Sequence, residues 1–204
     1  MTEQYPIDRL KDVFEVYAHL SKRFERLKTQ MRPEHYARIF LDVAKANGFF
    51  LVFGCGEDTP LWLNANYDGY TRLLEDLPEY VRLGKAKGGY VYQVKYASVN
   101  KVWMEPVAFP TWLGEDCLTT PWDYILVDAP RGYGDGPGRE QSIYLASELR
   151  KKHGSQVYVH DTNREWEKMC CDKYLGSADE VLGDSKSQLS IWRKLPSRPS
   201  DGTT

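Results

Sequence analysis

The stretch Phe49–Trp62, FFLVFGCGEDTPLW, decides how the rest of the chain is read, because an unbroken apolar run meets two closely spaced glycines and then a helix start. Phe49 to Phe53 carries no polar residue, which fits a strand buried on both faces, as in a parallel sheet covered by helices. Gly54 and Gly56 lack a Cβ, so the backbone can turn sharply there and a ligand can lie against it. Asp58 or Thr59 offers an N-cap to the next segment, and Pro60 stands where a first helical turn tolerates it. A strand, a glycine turn and a helix opening together predict a cofactor site.

Outward from this stretch, helical and strand patterns alternate. Pro33 opens a helix through Tyr36, Ile39, Phe40 and Val43 that ends near Asn47 and Gly48. After the glycine turn come a short helix over Pro60 to Tyr67, a strand at Thr71 to Leu74, a helix from Pro78 and a valine- and tyrosine-rich strand at Tyr90 to Tyr96. That succession predicts parallel strands joined by right-handed crossovers. Lys101 to Pro121 has no clear period and reads mostly as loop, with room for a short strand, and as a substrate-side insertion. Asp123 to Val127 is the next strand and stops at Asp128. A fifth strand ends at His160 and Asp161. A helix over Asn163 to Tyr174 and an antiparallel pair, Ala178 to Leu182 with Gln188 to Lys194, complete the fold. The expectation is an α/β, Rossmann-like, doubly wound seven-stranded sheet, mostly parallel with an antiparallel last strand. Residues 31–195 form one domain. Residues 1–30 are expected to be a helical extension, with Leu10, Val13, Phe14, Tyr17, Leu20, Phe24 and Leu27 on one face, and the Ser/Pro-rich residues 196–204 a disordered tail.

The cofactor follows from what the glycine turn lacks. A dinucleotide fingerprint needs a third glycine where Thr59 stands, which weakens a nicotinamide reading. The next strand ends in Glu75, about twenty residues past Gly54, where a carboxylate can take both ribose hydroxyls of a nucleoside. Those features also suit S-adenosylmethionine, which needs no pyrophosphate cradle. The cofactor-binding set is therefore Phe53, Gly54, Cys55, Gly56, Glu75 and Asp128, with Ala97 and Ser98 small enough to admit an adenine or its ribose.

Composition narrows the partners. At 204 residues and 42% hydrophobic content the chain can bury a sizeable core. Its formal net charge of -2 and lack of a basic run exclude nucleic acid as the expected partner. No apolar run is long enough to span a bilayer. The chain as written is expected to be soluble and cytoplasmic, or to act in the Golgi lumen if a membrane anchor is missing from it. The four cysteines, Cys55, Cys117, Cys170 and Cys171, have no disulfide or metal-clip spacing and read as thiols.

With these blocks in order, LVFGCGEDTPLW at Leu51–Trp62, TRLLEDLPEY at Thr71–Tyr80, WDYILVDAPRGY at Trp122–Tyr133, PGR at Pro137–Arg139 and VYVHDTNR at Val157–Arg164, the chain resembles the glucuronoxylan 4-O-methyltransferase family. This polysaccharide-biosynthesis group, once called domain of unknown function 579, also includes arabinogalactan methyltransferases. The resemblance covers roughly residues 31–195. It implies methyl transfer from S-adenosylmethionine to a sugar hydroxyl, with a uronic-acid-containing carbohydrate as acceptor and O4 of glucuronic acid as the position. A non-catalytic accessory protein of polysaccharide synthesis, and a methyltransferase of another small hydroxylated acceptor, are the alternatives.

A sugar hydroxyl needs a base within hydrogen-bond reach, and the carboxyl ends of strands supply Asp128, His160 and Asp161. Arg131, Tyr133 and Arg139, in the loop beyond Asp128, are the substrate-binding candidates, either arginine pairing with a uronate through a bidentate fork. In a second arrangement Asp128, Asp161 and Asn163 hold a divalent Mg²⁺ or Mn²⁺ that acidifies the acceptor. The metal-free arrangement is the one expected here.

Overall fold

The computed structural model describes residues 31–104 and 113–195. The extension expected at residues 1–30, the tail at 196–204 and part of the 101–121 loop lie outside them. In chain order the elements are α1 (Pro33–Ala46), β1 (Phe49–Phe53), α2 (Thr59–Ala65), β2 (Tyr70–Glu75), α3 (Pro78–Ala86), β3 (Val91–Gln93), α4 (Glu115–Thr119), β4 (Tyr124–Val127), α5 (Glu140–His153), β5 (Gln156–His160), α6 (Glu165–Tyr174), β6 (Glu180–Asp184) and β7 (Ser187–Trp192). Local chemistry supports the longer helices. α1 starts on Pro33, carries Glu34 in its first turn and Lys45 in its last, and stops at Asn47 in the left-handed region.

The strands form one sheet in the order β3-β2-β1-β4-β5-β7-β6. β1 pairs in parallel with β2 and β4, and β5 pairs in parallel with β4. β7 runs antiparallel to both β5 and β6, as expected for the last strand. Strand order reverses between β1 and β4, and the crevice beyond the carboxyl ends at such a point is where open α/β sheets bind ligands.

Alternation along the strands builds two apolar layers. Phe50, Val52, Leu73 and Leu126 face α1 to α3, against Ile39, Trp62 and Val81. Leu51, Phe53, Ile125 and Val127 face the other side, against Cys117, Ile143 and Trp166. The continuous apolar run at β1 thus reflects a strand covered on both faces.

Some boundaries differ from the sequence reading. β3 spans only Val91–Gln93, because it pairs with the last residues of β2 and has no partner once β2 ends at Glu75. The backbone N–H of Ala97 instead donates to Gln141 Oε1 at 2.9 Å. Among its described residues the 101–121 segment contains α4 and no strand, the helix opened by Gly114 at φ 73° with Glu115 and Asp116 in its first turn, and Val99 and Val102 form only an isolated bridge. α6 begins at Glu165 rather than Asn163, since Asp161 at φ 65° turns the chain and Arg164 N–H closes onto Asp161 O at 3.0 Å. Asp58 stands at the N-cap of α2 without a side-chain capping bond. Thr59 Oγ1 accepts the Gly56 N–H at 3.0 Å instead, closing the glycine turn. Among the described residues no helix is long and apolar enough to cross a membrane.

Ile125, fully buried at the middle of β4, gives a direct test of this core. Ile125→Ala is expected to cost about 2–5 kcal/mol in urea unfolding with an unchanged slope.

Candidate functional site

The carboxyl ends of β1, β2 and β4 open onto a cavity of about 390 Å³ whose lining includes Gly54, Gly56, Asp58, Glu75 and Asp128. The glycine turn forms its floor. Gly54 has φ 115°, and a Cβ there would stand 3.1 Å from Ala129 Cβ, so only glycine lets the β1 and β4 loops meet without adjustment.

Glu75 closes β2 and is 4% exposed. One carboxylate oxygen accepts the Cys55 N–H at 3.0 Å and the other the Leu77 N–H at 2.9 Å, which ties Glu75 to the glycine turn. Burial pushes this carboxyl up to about 7 against the pull of the two amides, with the nearby Asp76 adding to the rise.

Across the turn, Asp58 also faces the cavity. Its Oδ2 accepts the Tyr36 hydroxyl at 3.1 Å, and Tyr36 stacks on Trp62 with ring centroids 5.3 Å apart. Burial, then the charge of Asp128, pushes the Asp58 carboxyl up to about 6. The sequence reading gave Asp58 only a capping role. Nothing local signals more, because the contact with α1 is tertiary.

Of the three acid–base candidates, Asp128 alone lines the cavity. His160 Nδ1 lies 2.8 Å from Asp128 Oδ1, and His160 Nε2 lies 3.1 Å from Ser187 Oγ. His160 is 1% exposed and sits behind Asp128 rather than facing the cavity. Burial opposes ionisation of Asp128, but the charge and hydrogen bond of His160, with Arg139 and Arg164, outweigh it and hold the carboxyl below its ordinary value.

Arg139, a substrate-binding candidate in the sequence, contributes to the cavity lining but is only 3% exposed. Nε donates to Pro130 O at 3.1 Å, Nη1 to His160 O at 2.7 Å and Nη2 to Asp128 O at 2.8 Å. Nη2 also reaches Asp128 Oδ1 at 3.3 Å and Asp161 Oδ2 at 3.0 Å. A guanidinium so engaged holds the ends of β4 and β5 in place and has little left for a uronate. Arg131 and Tyr133 lie at the mouth of the cavity. Arg131 pairs with the exposed Asp135 at 2.6 Å and lies 5.4 Å from the Tyr133 ring centroid.

Three of the cofactor candidates stand off the cavity. Phe53 points into the opposite apolar layer, and Val52 lines the cavity in its place. Ala97 and Ser98 do not line it either, and Ser98 Oγ donates to Gly138 O at 3.4 Å.

The metal set proposed from the sequence does not come together. Asn163 Nδ2 donates to Ser185 O at 3.2 Å and its Oδ1 accepts the Gln188 N–H at 3.2 Å, so the amide is committed to the β6–β7 hairpin. Asp128, His160 and Asp161 do offer ligand atoms within 4.8 Å of one another. Their donors, however, are bonded to each other, and Asp161 Oδ2 faces both Arg139 and, at 2.9 Å, Arg164. Two guanidiniums on one carboxylate oxygen are poor company for a cation, and an oxygen-rich Mg²⁺ or Mn²⁺ site does not fit this arrangement.

Residues 111–190 match the family described as IRX15/IRX15L/GXM. The chain is 31% identical over 167 residues to Arabinogalactan O-methyltransferase 1 of Arabidopsis thaliana, covering 67% of this chain and 57% of that protein. It is 35% identical over 147 residues to Glucuronoxylan 4-O-methyltransferase 1 of the same plant, covering 58% and 51%. The chain spans about half the length of the curated relatives it matches. Among solved structures it is similar in fold to cofactor-bound Rv0187 from MTB, with a TM-score of 0.50 and 12% identity over 90% of each chain. The resemblance read from the motif blocks is borne out by the family match and these relatives.

Replacing Arg139 by methionine leaves Asp161 with Arg164 alone and strips three carbonyls of a donor, for an expected loss of about 3–5 kcal/mol. Lysine is expected to rescue little of it, because a single ammonium cannot reproduce the fork. Chemical denaturation of both variants checks this.

Proposed function

We propose that this chain, a relative of the IRX15/IRX15L/GXM proteins, is an S-adenosylmethionine-dependent O-methyltransferase acting on a hydroxyl of a polysaccharide or oligosaccharide. The observation that carries the reading is the pairing, in one cavity at the switch point, of Glu75 bonded to the glycine turn with Asp128 held by His160 and Arg139. The printed activities of the plant relatives support a polysaccharide acceptor. The finer reading is O4 of a glucuronic acid residue, with Arg131 as the exposed cation for its carboxylate and Tyr133 as a face for the sugar ring.

The chain's own residues divide the work as follows. Glu75 would hold the two ribose hydroxyls of the cofactor, and Gly54 and Gly56 would let it approach the backbone. When bound, S-adenosylmethionine supplies an electrophilic methyl group on a sulfonium. Asp128 takes the proton of the acceptor hydroxyl at the oxygen facing the cavity. Its depressed pKa suits this role, because a hydroxyl becomes strongly acidic as its oxygen gains a carbon, and an ionised carboxylate then suffices to remove the proton. His160 and Arg139 keep that carboxylate charged and aimed. Positioning acceptor and donor in line contributes much of the rate.

Asp128→Asn is expected to lower methyl transfer to glucuronic-acid-bearing xylo-oligosaccharides by about 10²–10⁴-fold while leaving affinity for S-adenosylhomocysteine within a few-fold. Near-normal turnover would remove Asp128 as the base. Glu75 adds a pH signature. Its carboxyl is held up to about 7 by burial, and ligand hydroxyls bond better to the carboxylate than to the acid. Affinity for S-adenosylhomocysteine is therefore expected to increase as pH rises through about 7 and to level off above it. Glu75→Gln should bind more weakly at pH 8 and lose the Glu75 contribution to that slope, which calorimetric titrations between pH 5.5 and 8.5 would show.

A further inference from the structure

The glycine turn, Glu75 and Asp128 account for a nucleoside and a base, and they leave Asp58 without a task. Asp58 lines the same cavity on the α1–α2 side, where Tyr36 and Trp62 also face it. Its place is built rather than incidental. Tyr36 is 1% exposed, is fixed by stacking on Trp62 at 5.3 Å and delivers its hydroxyl to Asp58 Oδ2 at 3.1 Å. The one carboxylate oxygen is thus held from α1, and no other side-chain bond to Asp58 is drawn toward the helix it precedes.

The order of the strands sets the direction in which a ligand must lie. Glu75 ends β2, the glycine turn follows β1, and Asp128 ends β4 on the far side. A nucleoside whose hydroxyls rest on Glu75 would extend over the turn toward the side of the cavity that Asp58 lines. Among the described residues no basic side chain is bonded to Asp58, whose carboxylate has the Tyr36 hydroxyl as its side-chain partner, and this favours a positively charged group beside it. Arg139 and Arg131 also line the cavity, but Arg139 is spent on Asp128, Asp161 and backbone carbonyls, and Arg131 is paired with Asp135.

We propose that Asp58, held by the Tyr36 hydroxyl, is the residue that receives the ammonium group at the amino-acid end of S-adenosylmethionine. This rests on the methyltransferase reading and adds to it the recognition of the part of the cofactor that Glu75 cannot reach. Burial and the Asp128 charge push the Asp58 carboxyl up to about 6. An ammonium on Asp58 offsets both penalties. Tyr36 acts as a positioning residue, since it touches Asp58 and aims it.

The test compares S-adenosylhomocysteine, which keeps the ammonium, with 5′-methylthioadenosine, which lacks the whole amino-acid end. Both are titrated calorimetrically into the full chain. Asp58→Asn is isosteric and relieves a repulsion, so its melting temperature should not fall. It is expected to weaken S-adenosylhomocysteine by about tenfold or more while leaving 5′-methylthioadenosine within about twofold. Tyr36→Phe is expected to show a smaller loss with the same selectivity, and Glu75→Gln to weaken both ligands alike. Equal losses for both ligands in Asp58→Asn, or no loss for either, would overturn the assignment while leaving the cofactor reading standing. If the unaltered chain binds neither ligand, both fail.

Discussion

A single buried guanidinium ties together the parts of this molecule that do chemistry. Arg139 reaches the ends of two strands, bonding the backbone carbonyls of Asp128 and His160 and the carboxylates of Asp128 and Asp161. Those ends would otherwise carry unpaired carbonyls and repelling acids in a largely dry place, which is costly. With Arg139 in position, His160 can stand behind Asp128 and the β4–α5 loop can fold back over the crevice. The geometry of the proposed site and local stability thus depend on the same ion. That is why a residue whose charge suggests substrate binding is spent inside the protein.

The sequence made the sheet legible because its strands are unusually plain. FFLVF and DYILV are apolar runs bounded by glycine, aspartate or proline, and the intervening helices carry their own start and stop residues. What was less legible depended on partners distant in sequence. β3 is short because β2 ends, and a periodicity of valine and tyrosine carries no information about a neighbour's length. Glu75 and Asp128 could be picked out as acids that end apolar strands. His160 had the same appearance, and only the packing shows that it backs Asp128 rather than facing the cavity. Arg131 and Arg139 look alike in a loop of glycines and prolines, yet one is exposed and the other is buried and spent on backbone carbonyls. Asp58 was hidden because its partner Tyr36 lies on a different helix.

The cavity holds its acids in contrasting states. Asp128 is held below its ordinary value by His160, Arg139 and Arg164, whereas Glu75 and Asp58 are pushed up by burial. Separated carboxyl pKa values of this kind mark sites where different tasks fall to the same residue type. Here they fit one group that removes a proton and two that wait for ligand donors, the hydroxyls of a ribose and a cationic end group. A ligand that supplies those donors stabilises the folded chain, and the cost of burying the acids is carried until it arrives.

The central claim is that this crevice is built for S-adenosylmethionine rather than for a dinucleotide. Calorimetric titration of the chain at pH 8 with S-adenosylhomocysteine, with NAD in a parallel experiment, tests it most directly. The account predicts binding of the former in the micromolar range, near about -8 kcal/mol, and no detectable heat from NAD. Binding of NAD, or of neither ligand, would contradict it.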